Sequence, residues 1–133
     1  MQDLIPPIDR GILRSELSAE HFVRNTNNGN NEIYIVNAGS APHVMQEIGR
    51  LRELSFREAG GGTGKVADID RYDTMDKPFQ QLIVWHPDDE QIVGGYRFIL
   101  CRDLEIRDGA PQSPTSRLFR LSPRFISEFM PYT

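Results

Sequence analysis

Three carboxylates fall within six residues, Asp68-Ile69-Asp70-Arg71-Tyr72-Asp73. Carboxylates this close attract a cation and can accept its proton, so the segment could hold an ammonium group. Helix capping and surface charge would use the same residues. A calcium loop starting at Asp68 would need glycine at its sixth position and glutamate at its twelfth; the chain has Asp73 and Phe79 there. Arg97 lies in a run that is otherwise largely apolar, with Ile92, Val93, Tyr96, Phe98 and Ile99 around it. A cation in such a strand sits on an exposed face or, when buried, needs a partner, and Asp70 and Asp73 are the candidates.

Other reactive types carry less. Ala59-Gly60-Gly61-Gly62-Thr63-Gly64-Lys65-Val66 approaches a phosphate loop, but Ala59 and Val66 break the pattern at both ends. The glycines also follow an expected helix where the motif needs a strand. A flexible loop, suited to a lid over a substrate, is the remaining reading. His86 sits in an expected turn and reads as solvated, while His21 and His43 carry no pattern. Cys101 is the only cysteine, so neither an intrachain disulfide nor a cysteine metal cage can form, and a packing role is expected. A reducing cytoplasm suits such a chain. Arg50, Arg52 and Arg57 form one local basic group, and Arg117, Arg120 and Arg124 a second. Each is a solvated face or a dock for something acidic. The net charge of −4 argues against nucleic acid as a partner.

The elements that must position these residues follow from the hydrophobic pattern. Residues 1–30 read as an irregular arm, with Pro6-Pro7 opposing an early helix and a short helix from Ser15 to Arg24. Asn25 to Asn31 is loop chemistry. Glu32 to Val36 is expected to be a strand. A long amphipathic helix is expected next, capped by Ser40, with Pro42 in its first turn and Gly60-Gly61-Gly62 at its end. Val44, Ile48, Leu51 and Ser55 fall on one face of it. Phe79–Trp85 and Gln91–Leu100 pair as an antiparallel hairpin around the turn His86–Glu90, with a bulge or a close backbone approach at Gly94-Gly95. Residues 107–116 read as a loop, and Ser122-Pro123 opens a short helix with Phe125, Ile126 and Phe129 inward. The length of 133 residues fits one α+β domain. No apolar run is long enough to span a bilayer, and the first residues do not read as a secretory signal.

Arg52-x-x-x-Phe56, Asp68-x-Asp70-x-Tyr72-Asp73 and Ile92-Val93-Gly94-Gly95-Tyr96-Arg97 occur in this order. The set resembles the GNAT-related acyltransferase branch that contains acyl-homoserine-lactone synthases and the ornithine-lipid and glycine-lipid N-acyltransferases. Glu47–Glu53, Gly60–Lys65, Pro6–Arg10 and Pro131-Tyr132-Thr133 are similar to its hemolysin-like lipid N-acyltransferases of the Bacteroides group.

The resemblance implies a GNAT-like mixed sheet with flanking helices, of which residues 1–133 would be the N-terminal part. It implies transfer of a fatty or hydroxy-fatty acyl group from acyl carrier protein or acyl-CoA to the amine of a small amino acid, with no bound cofactor or metal. The amine would attack the thioester carbonyl, and backbone amides near a strand bulge would hold the oxyanion. Asp68, Asp70 and Asp73 would lie near the amine. Arg97 would hold a substrate carboxylate or lock the acidic loop, and Arg52 and Phe56 would line the acyl entrance. The family's catalytic acid would come beyond Thr133, so the chain alone is expected to be inactive. Self-association and contact with the inner membrane surface are further expectations. Two alternatives stand beside this reading. One is a homoserine-lactone synthase, whose usual tryptophan between Phe56 and the acidic loop is missing here, Trp85 being the only tryptophan. The other is a non-catalytic module that docks a carrier protein or membrane.

Overall fold

The computed structural model describes residues 2–27, 29–100, 106–107 and 110–111. Its centre is a four-stranded antiparallel sheet in the order β1 (Phe22–Asn25), β2 (Glu32–Val36), β3 (Gln80–His86), β4 (Gln91–Phe98). One long helix, α2 (Pro42–Glu58), connects β2 toward β3 and supplies much of the core. A one-turn helix, α3 (Arg71–Thr74), follows the glycine-rich loop, and a small hairpin of β5 (Ile106–Arg107) and β6 (Ala110–Pro111) lies in the segment read as loop.

Alternation explains which face of the sheet is covered. Tyr34 and Val36 of β2 and Gln81, Ile83 and Trp85 of β3 are buried, while the residues between them are partly exposed. Val44, Met45 and Ile48 of α2 join Ile83, Trp85 and Val36 in one cluster that also takes in Leu13 and Leu17. Gly49 lets the next segment in, because a Cβ there would collide with Ile69. The Asp68 amide donates to the Gly49 carbonyl at 2.9 Å and holds that approach.

The N-terminal thirty residues differ from the expected irregular arm. A helix, α1 (Arg10–Glu16), begins earlier than the expected Ser15 because Asp9 caps it, its carboxylate accepting from the Ile12 amide at 3.2 Å. The expected helical stretch beyond Ser18 is instead a 3-10 turn and then β1, which pairs with β2. The extended start of the chain bonds across the later loop, Gln2 N–H to the Gly64 carbonyl at 2.8 Å and Ile5 N–H to the Val66 carbonyl at 3.0 Å. Ser40 does not cap α2. The Glu16 carboxylate does so from α1, accepting the amides of His43 at 3.2 Å and Val44 at 2.8 Å. Pro42 takes the first turn as expected.

The expected hairpin is present, and so is the irregularity in its second strand. Val84 pairs with Gly94 but Trp85 pairs with Ile92, leaving Val93 as the extra residue of a bulge. Gly95 is the close approach: a Cβ would stand 2.5 Å from the Leu82 carbonyl oxygen. Cys101, Arg117, Arg120, Arg124 and the helix expected from Ser122 lie outside the described residues.

Candidate functional site

Asp70 opens α3 and Asp73 closes its first turn, and the two bind each other's backbone. Asp70 Oδ1 accepts from the Tyr72 amide at 3.0 Å, and the Asp70 amide donates to Asp73 Oδ2 at 3.1 Å. Tyr72 anchors the turn, packed edge-on to Phe79 at 5.6 Å, with the Phe79 amide on its carbonyl at 2.8 Å. The carboxylates thereby face the inner side of β3 and β4.

Two cations converge on them. Arg97, paired across the ladder with Gln81, places Nη1 2.8 Å from Asp70 Oδ1 and 3.3 Å from Asp73 Oδ1. Its guanidinium lies over the rings of Tyr72 and Phe79, at 5.8 and 5.7 Å. Arg52, from α2, donates Nη1 to Asp73 Oδ2 at 3.1 Å and Nη2 to Gln81 Oε1 at 2.7 Å. Gln81 Nε2 closes the ring on Asp73 Oδ1 at 2.9 Å. Both oxygens of the fully buried Asp73 therefore receive two donors each, which fills its acceptor sites.

Asp70 differs. Its side chain is 45% exposed, and Arg97 with the amides of Tyr72 and Asp73 bonds its buried side. Burial raises its pKa, but the Arg97 hydrogen bond and charge, with the amides of Tyr72 and Asp73, outweigh that and hold it below the usual carboxylate value. Arg97 is the converse: burial lowers its pKa, and bonds and charge from Asp70 and Asp73 carry it above the ordinary guanidinium value. The Asp68 carboxyl makes no hydrogen bond among the described residues. Burial raises its pKa, opposed by Arg52 and reinforced by Asp70, Glu53 and Asp73.

A groove of about 360 Å³ opens beside this network, between α2 and the β3–β4 hairpin. Arg52 and Phe56, one helical turn apart, lie on its α2 side with Ile48, Leu51 and Ser55, the bulge residues Val93 to Tyr96 stand opposite, and Gln81, Leu82, Ile83 and Ile92 also line it. Phe56, Val93 and Tyr96 are exposed aromatic and aliphatic groups at this groove, Tyr96 at 63%. Of the residues singled out from sequence, Arg52, Asp70, Asp73 and Arg97 meet in one network, Phe56 joins through the groove, and Asp68 stands on the segment leading to it.

Two members were not legible. Gln81 is 1% exposed in a strand read as mostly apolar; its place on the inward face, opposite Arg97, was the available signal. Glu53 is fully buried on α2 and organises the glycine-rich loop: it accepts from Thr63 Oγ1 at 2.7 Å, Thr63 N at 2.9 Å, Gly64 N at 2.9 Å and Arg57 Nε at 2.7 Å. The Thr63 hydroxyl does most to hold the Glu53 pKa down to about 2, against burial, with the Thr63 amide, Arg57 and the Gly64 amide adding to it. The loop that resembled a phosphate cradle is wrapped around the protein's own carboxylate. The expected basic face is likewise spent internally, since Arg50 is doubly bonded to Glu47, Arg52 to Asp73 and Gln81, and Arg57 to Glu53. Among the described residues no three His, Cys, Asp or Glu side chains converge as metal ligands would.

The sequence profile of the acetyltransferase (GNAT) domain matches residues 51–128, more than half of the chain and the stretch that builds this site. The chain belongs to the GNAT acetyltransferase family. Over its whole length this GNAT chain is 50% identical to a protein of Bacteroides thetaiotaomicron named glycine N(alpha)-acyltransferase, of which it covers 40%. It is 48% identical to a protein of the same name from Phocaeicola vulgatus, of which it covers 41%. The chain thus spans about two fifths of the length of these curated relatives. No solved structure matches it.

Proposed function

We propose that this GNAT chain serves an N-acyltransferase that moves a fatty or hydroxy-fatty acyl group from an acyl thioester to the amino group of glycine, the first step in making an aminolipid. The observation that carries the reading is the juxtaposition of an exposed Asp70–Arg97 edge with an apolar groove that ends at a strand bulge. A zwitterionic amino acid needs both signs of charge close together. The exposed part of the Asp70 carboxylate and the Asp68 carboxyl supply the acceptors for its ammonium, and the N–H groups of Arg97 not used by Asp70 and Asp73 supply donors for its carboxylate.

The acyl chain lies along Phe56, Leu82 and Ile92, with its thioester carbonyl at the bulge. Only the neutral amine attacks, so a proton must leave first; Asp68, with its raised pKa, is the group assigned to accept it. The nitrogen lone pair then forms the bond to the carbonyl carbon. The bulged Val93 amide is assigned to the oxyanion, and collapse of the tetrahedral adduct expels the thiolate, which takes up the second proton released by the attacking nitrogen. Acyl carrier protein is the proposed donor, with acyl-CoA as the competing one. The lipid product places the reaction in the cytoplasm at the inner membrane surface. Self-association is assigned to the β1 edge, where Phe22 and Val23 are exposed.

The test uses the protein expressed from its complete reading frame. Incubation with a long-chain acyl thioester and isotope-labelled glycine is expected to give N-acylglycine by mass spectrometry. Absence of any acylated amine with either donor overturns the reading.

A further inference from the structure

A buried primary amide among apolar neighbours is costly unless both its ends are bonded, and in Gln81 both are. A carboxylate only accepts and a guanidinium only donates, so one orientation of the amide satisfies both: Nε2 toward Asp73 and Oε1 toward Arg52. No charged side chain can do this. A carboxylate at this position would face Asp73 with like charge, and an ammonium would face Arg52. Gln81 also sits across the ladder from Arg97, and it shares Asp73 Oδ1 with Arg97 Nη1.

We infer that Gln81 is a positioning residue: its amide sets the rotation of the Asp73 carboxylate and of Arg52, and through Asp73 the aim of Arg97 at the amino-acid substrate. The inference rests on the acyltransfer proposed above. If Asp73 turns, the Arg97 contact at 3.3 Å is the longest in the network and the first to be lost, and Arg97 then follows Asp70 alone. Gln81 and Arg52 also line the groove, but Phe56 and the bulge form its apolar walls, so amino-acid binding should respond more strongly than donor binding.

The experiment compares Gln81→Leu and Gln81→Glu in the protein from its complete reading frame, with glycine and acyl donor varied separately from about pH 8 down to about pH 5. Gln81→Leu is expected to raise the KM for glycine about tenfold or more at every pH, and to raise the donor KM by less. Gln81→Glu is expected to match that defect at high pH and recover as the pH falls. Burial and Asp73 raise the pKa of the introduced carboxyl against the opposing charges of Arg52 and Arg97, and once protonated that group again donates to Asp73 and accepts from Arg52. An unchanged glycine KM in Gln81→Leu, or parallel pH profiles for the two variants, overturns the inference. If the unaltered protein acylates no amine, the acyltransfer reading fails separately. Thermal unfolding then decides the role of Gln81: a Tm advantage of Gln81→Glu over Gln81→Leu that grows on acidification supports it, and a constant difference overturns it.

Discussion

Asp70 and Asp73 are three residues apart and carry different loads. Asp73 is fully buried and bonded to Arg52, Arg97 and Gln81, whereas Asp70 is half exposed and, among the described side chains, bonded to Arg97. Removing the charge of Asp73 leaves Arg52 without its carboxylate, and Asp73→Asn is expected to cost about 3–5 kcal/mol in chemical denaturation. Asp70→Asn is expected to cost only about 0–1 kcal/mol, because water screens that pair. The folded-state pKa of Asp70 is lowered, so its small contribution is present above the ordinary carboxylate pKa and is lost as pH falls through the lowered one. Equal costs for the two variants would contradict this division. The pairing itself was legible, since a cation in an apolar strand demands a partner and the acidic segment was the nearest source. Which carboxylate is buried was not legible, because it depends on the single turn of α3 that points Asp73 inward and Asp70 outward.

The elements show the same split between pattern and detail. The period of α2 was plain, but its cap comes from Glu16 on another helix, and no local motif announces a long-range cap. No sequence pattern singles out Glu53 as buried, and only the return of the glycine-rich loop buries it. Glu53→Gln is expected to release that loop, with amide exchange at Thr63 and Gly64 faster by about tenfold or more and little change in β3. Because the Glu53 pKa is about 2 in the folded chain against 4.5 ordinarily, its stabilisation is complete above about pH 4.5 and lost as pH falls toward 2. The protection of these two amides, taken relative to their intrinsic exchange rate at each pH, should therefore fall over that acid range in the unaltered protein and be flat in Glu53→Gln. The bulge separates two glycines by their surroundings. Gly95→Ala presses a methyl on the Leu82 carbonyl and is expected to destabilise by about 1–3 kcal/mol. Gly94→Ala meets open space at the groove and is expected to keep its stability while slowing acyl transfer. A Gly94→Ala variant with full activity would move the acyl carbonyl away from the bulge.

At the scale of the whole molecule, the α+β class and the central hairpin were legible because long apolar runs with clear turn signals dominate them. β1 was not, since Phe22-Val23-Arg24-Asn25 is exposed and takes its strand form from β2. Nor was the use of the chain's first residues, which lie along residues 64–66 and close over the same loop that Glu53 holds. The result is a sheet with α2 and α3 drawn to its inner face by one buried network, and a groove left open beside it. On the proposed function, the exposed edge of this network receives an amino acid. The most direct measurement is the glycine dependence of N-acylglycine formation by Asp70→Asn, beside its Tm and its donor KM. The expected result is a Tm and donor KM close to those of the unaltered protein and a glycine KM raised by about tenfold. An unchanged glycine KM at full activity would contradict it.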